Sequence, residues 1–160
     1  MTQTPTDELL RKILGETRVI VCVGVSMNSV RPSYFVARYL HLRGYRIIPV
    51  NPAYAGDEFF GRPIYDSLDS VPGNVEVDML DIFRRPEHIP EIAATAMNRF
   101  SSSLRTIWMQ VGITHGEVAK TAESKGLQVI QNRCPKIEHQ RLFGELRKMG
   151  FNTGIISSKL

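Results

Sequence analysis

Short runs of apolar residues alternate with stretches of helical periodicity along this chain. The apolar runs predict five buried strands, at 18–24, 45–52, 77–83, 104–112 and 127–130. Helical spacing and helix-start signals predict helices at 4–15, 32–44, 90–100, 114–126 and 134–150. A regular alternation of strands and helices is typical of a parallel sheet with helices on both faces. We therefore expect an α/β, Rossmann-like, doubly wound fold with a single sheet of about five strands.

Local signals set the expected ends of these elements. Pro49 and Pro52 cannot donate to a ladder of backbone hydrogen bonds and should end the second strand, and a loop rich in Gly and Pro follows at 53–63. Thr114 and Glu117 have the spacing of a capping box, which would open the fourth helix.

Length and composition fit one soluble domain. The chain has 160 residues, so we expect a single domain over 1–160, with a leading helix in 1–17, a core at about 18–149 and a surface tail at 151–160. No run of about 18 apolar residues is present, and the N-terminus lacks the basic and apolar regions of a signal peptide. These features predict no membrane segment and a cytoplasmic location.

Charge and cysteine content narrow the classes of partner. The formal net charge is +4 and the isoelectric point is about 9.3, which suits an anionic partner. Lys and Arg are scattered apart from Arg84 and Arg85, whereas a DNA-binding domain usually gathers them on one face. Cys22 and Cys134 stand alone, so we expect neither a disulfide framework nor a zinc site. Cys22 lies in an apolar run and should pack as a small hydrophobe.

The loop after the first strand carries the first functional signal. In a sheet of this kind, ligands bind beyond the carboxyl ends of the strands. Backbone N–H groups and a helix N-terminus there suit a pyrophosphate. Gly24 lets the backbone approach a ligand, Ser26, Asn28 and Ser29 offer small polar side chains, and Arg31 adds a positive charge. A nucleotide loop normally has three glycines, so an ordinary strand–helix loop is the alternative interpretation.

The end of the second strand indicates which nucleotide fits. An NAD-binding domain usually places Asp or Glu there to hold the ribose hydroxyls. This chain has Val50, Asn51 and Pro52 and no carboxylate. The nearby positive charges are Arg31, Arg62, Arg84 and Arg85. The sequence is therefore a poor match to NAD and leaves room for a nucleotide with an extra phosphate on its ribose.

Five segments, taken together, resemble a known family. They read VGVSMNSVRPSYFVARYLHLRGYRIIPVNP, GRPIYDSLDSVP, VDMLDIFRRPEHIPEI, IWMQVGI and NRCPKIEH, in this order, roughly between Val19 and His139. They resemble the single-domain CoA-binding proteins, which are relatives of the CoA-binding domain of succinyl-CoA synthetase α subunits and of NDP-forming acyl-CoA synthetases. The resemblance implies a domain that binds coenzyme A (CoA) or an acyl-CoA at its strand ends.

The same resemblance implies roles for residues at each strand end. The loop after the first strand would meet the CoA phosphates, and the second and third strand ends would flank the nucleotide. The fourth strand end, including Trp108, and the turn at Cys134 would line the path of the pantetheine arm. The site residues so assigned are Gly24, Val25, Ser26, Arg31, Pro32, Val50, Asn51, Pro52, Ile82, Phe83, Arg84, Arg85, Gln110, Gly112, Cys134 and Pro135. The last motif reads Asn-Arg-Cys-Pro-Lys and departs from the Gly-Pro-Asn-Cys-x-Gly of the synthetases.

Arginine side chains suit such a ligand. Their planar fork donates two parallel hydrogen bonds to a phosphate, which makes Arg31, Arg84 and Arg85 the candidates. A solvated position ahead of a helix is the preferred interpretation of Arg85. Phe83 would stack on the adenine, with core packing as an equal alternative, and core packing is also the alternative for Trp108.

No catalytic set stands out in the sequence. The four histidines lack Asp, Glu or Cys at the spacing of a triad or a metal site, and His88 and His115 are expected to help cap helices. Asp81 is expected to bond a backbone N–H or to pair with Arg84. Glu138 is a candidate base that points into the cleft, but nothing else completes a reaction.

One cysteine raises a separate hypothesis. If Cys134 is exposed, and if Arg133 and Lys136 lower its pKa, it would form a mixed disulfide with the CoA thiol.

We therefore interpret the chain as a CoA- or acyl-CoA-binding protein without catalysis of its own, because the synthetases use a histidine in a second domain that this sequence lacks. The alternatives are an NAD(P)-binding oxidoreductase-like domain and a nucleic-acid or protein interaction module. We expect no metal and no nucleic-acid or membrane partner. A homo-oligomer and a separate chain that supplies a catalytic domain both stay open.

Overall fold

Five parallel strands form a central sheet with helices on both faces, which confirms the fold class predicted from the sequence. The computed structural model describes residues 4–144. The strands, in chain order, are β1 (Val19–Val23), β2 (Arg46–Val50), β3 (Glu58–Phe59), β4 (Arg62–Pro63), β5 (Met79–Ile82), β6 (Thr106–Met109) and β7 (Gln128–Ile130). The central sheet has the order β2-β1-β5-β6-β7, and β3 and β4 pair separately as a small antiparallel hairpin.

Helices cover the two faces of the sheet unequally. They are α1 (Asp7–Glu16), α2 (Pro32–Leu42), α3 (Ile89–Arg99), α4 (Gly116–Ser124) and α5 (Pro135–Phe143), with short 3₁₀ turns at Pro52–Tyr54, Leu68–Ser70 and Pro86–His88. The apolar faces of α1, α2 and α5 share one core with Cys22 and Trp108 of the sheet. The apolar faces of α3 and α4 share the other core with Val21 and Leu80.

The strand order places a crevice between β1 and β5. From β1 the chain moves outward to β2, the edge strand, and then crosses back over β1 to reach β5 on its other side. The loops after β1 and β5 therefore leave neighbouring strand ends, with Val23 opposite Ile82 in register. A reversal of this kind is the place where open α/β sheets bind their ligands.

Several element ends differ from the sequence prediction. Residue 77 lies outside β5, which begins at Met79. Pro49 does not end β2, which continues to Val50. A proline is tolerated here because β2 is the edge strand of the sheet. The Pro49 carbonyl still accepts a hydrogen bond from the Tyr65 N–H (3.0 Å). The hairpin of β3 and β4 lies entirely in the segment 53–63, which was predicted to be loop.

The cap of α4 also differs from the prediction. Thr114 does not open this helix: the N-cap is His115, whose Nδ1 accepts a hydrogen bond from the Val118 N–H (3.2 Å). The prediction that His115 helps cap a helix is confirmed. The same prediction for His88 is wrong, because His88 is the N-cap residue of α3 but its side chain makes no capping hydrogen bond. In the last helix, α5 ends at Phe143, and the predicted continuation to 150 and the tail at 151–160 lie outside the described residues.

Candidate functional site

The carboxyl ends of the strands open into a cleft of about 610 Å³ on the α2 side of the sheet. We call it the main cleft. Its lining residues come from the loops after β1, β2, β5 and β6 and from the first turn of α2. They are Gly24, Ser26, Asn28, Arg31, Pro32, Ser33, Asn51, Tyr54, Phe83, Gln110, Val111 and Ile113. This set contains one arginine and no carboxylate.

The loop after β1 is held in shape by its own small polar side chains. The Ser26 N–H donates to Ser33 Oγ (2.9 Å), and Ser26 Oγ accepts from the Asn28 N–H (3.0 Å). The loop runs into α2 with Arg31 as the N-cap residue, and no side chain caps this helix end. The positive end of the helix dipole therefore lies at the wall of the main cleft, without a capping side-chain oxygen.

Gly24 lies where the loops after β1 and β5 touch. Its φ is +96°, in a region that favours glycine. A Cβ on this residue would lie 3.0 Å from Arg84 Cδ and 3.1 Å from the Phe83 carbonyl oxygen. The single glycine of the loop is therefore required for the close approach of these two loops.

Asn51 fixes the turn after β2. Its side-chain N–H donates to the Val25 carbonyl (2.9 Å), and its Oδ1 accepts from the Ala53 N–H (2.9 Å). Both ends of the amide are engaged by the protein, so Asn51 shapes the wall of the main cleft and ties β2 to the loop after β1. Beside it, the Tyr54 hydroxyl lies 3.4 Å from Ser26 Oγ.

A buried acid lies under the main cleft. Asp81 is fully buried, and its Oδ1 accepts a hydrogen bond from Gln110 Nε2 at 2.7 Å. Within residues 4–144 its other oxygen, Oδ2, has no hydrogen-bond partner. Burial raises the pKa of Asp81 to about 7, against the lowering effect of the Gln110 hydrogen bond. The prediction that Asp81 bonds a backbone N–H or pairs with Arg84 is wrong, because the register of β5 and β6 brings Gln110 to it instead.

A second cavity, of about 220 Å³, also lies at the carboxyl ends of the strands, but on the α3 side of the sheet. It is lined by Val23, Val50, Pro52, Asp66, Ser67, Leu68, Asp69, Arg84, His88, Glu91, Ile92 and Thr95. Its floor is apolar and its rim carries both signs of charge. The carboxyl ends of the strands, taken together, are therefore not free of acidic groups.

The structure separates the residues assigned from the sequence into three sets. Seven line the main cleft: Gly24, Ser26, Arg31, Pro32, Asn51, Phe83 and Gln110. Three line the second cavity: Val50, Pro52 and Arg84. Six line neither: Val25, Ile82, Arg85, Gly112, Cys134 and Pro135. Val25 and Ile82 are fully buried, so their side chains serve the core.

Sequence reasoning also missed part of the lining. The residues that it did not assign to the main cleft include Ser33, Tyr54, Val111 and Ile113. Each follows an assigned strand end or loop within a few residues, and that proximity is the signal that would have found them.

Cys134 is not the exposed thiol that the disulfide hypothesis requires. Only 1% of its surface is exposed. Burial raises the pKa of Cys134 to about 11, and the smaller opposing effects of backbone hydrogen bonds from Ile137 and Lys136 and of the Lys136 charge do not offset it. The prediction of a lowered pKa is therefore wrong, and the thiolate needed for attack on a disulfide is scarce near neutral pH.

Two other predicted side chains have structural roles. Glu138 is almost fully buried and forms ion pairs with Arg141 (2.7 Å) and Arg133 (3.4 Å), so it is not a base that faces the cleft. Trp108 is fully buried in the core, and its indole N–H donates to the Arg133 carbonyl at 2.9 Å.

The arginines near the strand ends are available to a ligand. Arg31, Arg84 and Arg85 form no ion pair with any residue in 4–144. In the same part of the chain no cluster of His, Cys, Asp and Glu is arranged to hold a metal ion. No helix there combines the length and apolarity needed to cross a membrane.

Comparison with known proteins identifies the family. A family model described as "CoA binding domain" matches residues 18–140, most of the chain and all of the strand-end loops described above. The chain belongs to the CoA binding domain family. The resemblance drawn from the five sequence segments is therefore confirmed.

Two relatives match this chain over nearly their whole length, and a larger synthetase shares only the fold. The chain is 31% identical to the uncharacterized protein YneT of Bacillus subtilis (strain 168), and the match covers 86% of this chain and 96% of YneT. It is similar to the cell-free ID.343 structure from Thermus thermophilus, at 36% identity and a TM-score of 0.75, covering 87% of this chain and 100% of that one. The dinucleotide-forming acetyl-coenzyme A synthetase 1 of Ca. Korarchaeum cryptofilum, at 19% identity and a TM-score of 0.60, shares the fold over 78% of this chain and 27% of its own.

Proposed function

We propose that this protein binds coenzyme A or an acyl-CoA at the carboxyl edge of its sheet and carries out no reaction of its own. The observation that carries the proposal is the main cleft, where a CoA binding domain places a helix N-terminus and Arg31 around a space lined by no carboxylate. The pyrophosphate of such a ligand gains from this cleft because no carboxylate in its lining repels it.

In this proposal the pyrophosphate lies against the loop after β1. The backbone at Gly24 and Ser26 comes close to the ligand, and the helix dipole of α2 and the guanidinium of Arg31 supply positive charge. The rest of the main cleft, toward Gln110, Val111 and Ile113, takes the pantetheine arm. This part mixes an amide with apolar side chains, as the arm itself does.

The second cavity takes the adenosine end. Apolar side chains of Val23, Val50 and Leu68 form a floor that suits a purine, and Arg84 and His88 lie on the rim. Arg84 packs its aliphatic part against Gly24, so a ligand that passes over Gly24 reaches both cavities. The ribose phosphate would meet the Arg84 guanidinium.

One observation supports a second candidate, NAD. The sequence lacks a carboxylate directly after β2, but the structure brings Asp66 and Asp69 to the second cavity beside Val50 and Pro52. Carboxylates at this position hold ribose hydroxyls in NAD-binding domains. A carboxylate that holds the ribose hydroxyls cannot also hold the extra ribose phosphate of NADP, so only NAD fits this alternative. In the first proposal the ribose phosphate of CoA is held by the Arg84 guanidinium instead.

Thermal melting with different ligands tests these proposals. A ligand at 100 times its dissociation constant adds about 2.7 kcal/mol to stability and raises the melting temperature visibly. We expect CoA to raise it, and NAD, NADP and a short DNA duplex to leave it unchanged. A rise with NAD and none with CoA would overturn the first proposal in favour of the second.

A charge substitution tests the location of the phosphates. Arg31→Gln should weaken CoA binding roughly tenfold or more, because it removes charge-assisted hydrogen bonds to a phosphate. Arg46→Gln is the matched control, since Arg46 is exposed at the opposite end of the sheet and also forms no ion pair within 4–144. Calorimetric titration should show unchanged affinity for the control. Equal affinity in both variants would mean that the phosphates lie elsewhere.

A further inference from the structure

The buried hydrogen bond between Asp81 and Gln110 determines which end of the Gln110 amide faces the ligand. A glutamine amide has a donating nitrogen and an accepting oxygen, and the hydrogen bond to Asp81 uses the nitrogen. An ionised carboxylate can only accept, so above the pKa of Asp81, about 7, Gln110 Nε2 stays turned toward it. The opposite end of the amide, Oε1, is left for other partners.

The Gln110 oxygen has no partner in the protein and remains accessible. Within residues 4–144 it accepts no hydrogen bond. Unlike Asp81 Oδ2, it is not sealed from solvent. Gln110 follows β6 directly and lines the main cleft next to Val111. The side chain is otherwise enclosed, with 7% of its surface exposed, so the amide has little freedom to turn.

The cost of burying Asp81 argues that this contact has a purpose beyond stability. A carboxyl group in the core with one unpartnered oxygen destabilises the fold relative to an apolar residue of similar size. Cys22 of β1 and Trp108 of β6 lie beside it in register and offer no hydrogen bond to it. Gln110 is its one hydrogen-bond partner within 4–144, and that partner faces the main cleft.

We infer that Asp81 is a positioning residue that holds Gln110 with its carbonyl oxygen toward the main cleft, where it accepts a hydrogen bond from an amide N–H of the ligand's arm. This inference rests on the proposed function. It adds that the cleft selects an amide-bearing arm, beyond the recognition of phosphates. Adenosine 3′,5′-bisphosphate, which lacks the arm, should not sense Asp81 or Gln110.

Calorimetric titration of four proteins with two ligands tests the inference. The proteins are the wild type, Gln110→Leu, Asp81→Leu and Asp81→Asn, and the ligands are CoA and adenosine 3′,5′-bisphosphate. Both leucine variants should weaken CoA roughly three- to tenfold, the range expected for one neutral hydrogen bond, and leave the bisphosphate within twofold. Asp81→Asn should bind CoA nearly as the wild type does, because its amide oxygen accepts the same bond.

The possible results separate the two proposals. Wild-type protein that does not bind CoA would overturn the proposed function and this inference with it. If the wild type binds CoA and Asp81→Leu binds it with the same affinity, the inference alone is overturned. The same holds if Asp81→Leu loses equal affinity for CoA and for the bisphosphate. A merely structural role for Asp81 would weaken both ligands together and would not be rescued by asparagine.

Nuclear magnetic resonance of the wild type tests the same inference if Asp81→Leu does not fold. In the wild type, the side-chain N–H signals of Gln110 report on the bond to Asp81. On addition of CoA we expect the bonded N–H to keep its position while the backbone amides of the main cleft shift. A bonded N–H signal that disappears or moves as far as those amides would show that Asp81 does not hold the side chain, and would overturn the inference.

Discussion

The main cleft and the second cavity both lie at the carboxyl ends of the strands. They lie on opposite faces of the sheet, and their linings differ in charge. The main cleft is lined by small polar groups, one arginine and no carboxylate. The second cavity is smaller, with an apolar floor and a rim that carries Asp66, Asp69 and Glu91 as well as Arg84. In the proposed function, this difference separates a region that would accept the pyrophosphate and the arm from a region that would accept the adenosine end. Gly24, which touches Arg84, lies at the boundary.

Substitution of Gly24 should disturb both regions and give the largest effect. Gly24→Ala adds a Cβ within 3.0 Å of Arg84 Cδ and 3.1 Å of a backbone oxygen, at a φ of +96°. We expect a loss of about 1–2 kcal/mol in unfolding free energy from the backbone conformation alone, measured by urea denaturation. The forced separation of the two loops should also weaken CoA binding more than tenfold.

Gly44 provides the control for backbone strain. Its φ is +100°, but a Cβ there would meet nothing within 4 Å. Gly44→Ala should therefore lose a similar free energy of unfolding and keep its CoA affinity. If the two variants bind CoA equally well, the contact between the loops after β1 and β5 does not matter for the ligand.

Asp81, the buried acid under the main cleft, should make the free energy of unfolding depend on pH. The folded pKa of Asp81 is about 7, above the ordinary value of 3.8 that applies to the unfolded chain. The folded state therefore binds the proton more tightly, so this contribution to stability is complete below pH 3.8 and is lost as pH rises to about 7. Each pH unit inside this window removes up to ~1.4 kcal/mol.

The comparison of variants isolates this effect from other titrating groups. Asp81→Asn cannot ionise, so its free energy of unfolding relative to the wild type should rise between pH 4.5 and pH 7. Asp57→Asn, which changes an exposed carboxylate, should run parallel to the wild type. Parallel curves for Asp81→Asn as well would contradict the raised pKa.

The charges of the second cavity should have the smallest effect. Asp69→Asn removes an exposed carboxylate beside the site proposed for the ribose phosphate. We expect CoA to bind about two- to threefold more tightly at low salt, and this gain to shrink as salt screens the charge. Glu76→Gln, an exposed change before β5, should leave affinity unchanged. Weaker CoA binding by Asp69→Asn would mean that Asp69 accepts a hydrogen bond from the ligand, as the NAD alternative requires of it.

Sequence patterns predicted the architecture because buried parallel strands have a strong signature. Runs such as Val19–Val23 are apolar on both faces and cannot be confused with loops. The hairpin of Glu58–Phe59 and Arg62–Pro63 has two-residue strands, too short to show any alternation. The sequence places the start of α4 at Thr114 because threonine is the commoner N-cap residue, although His115 is also expected to help with capping.

The site was predicted less completely than the fold, for a physical reason. Which residues follow a strand end is visible in the sequence, and this located Gly24, Arg31 and Gln110 in the main cleft. Which side chains meet across the sheet depends on register and packing. The pairing of Asp81 with Gln110, 29 residues away, and the burial of Cys134 arise at that level.

Backbone amide shifts during a CoA titration give the most direct test of the central claim, that the ligand binds across the carboxyl edge of the sheet. In ¹⁵N–¹H spectra of the full chain, the amides of Gly24, Ser26 and Ser33 should move together and saturate at one dissociation constant. The amides of Lys12, Thr17 and Arg105, at the opposite edge near the amino ends of β6 and β7, should stay in place. Shifts confined to that opposite edge, or no shifts at millimolar CoA, would contradict the account.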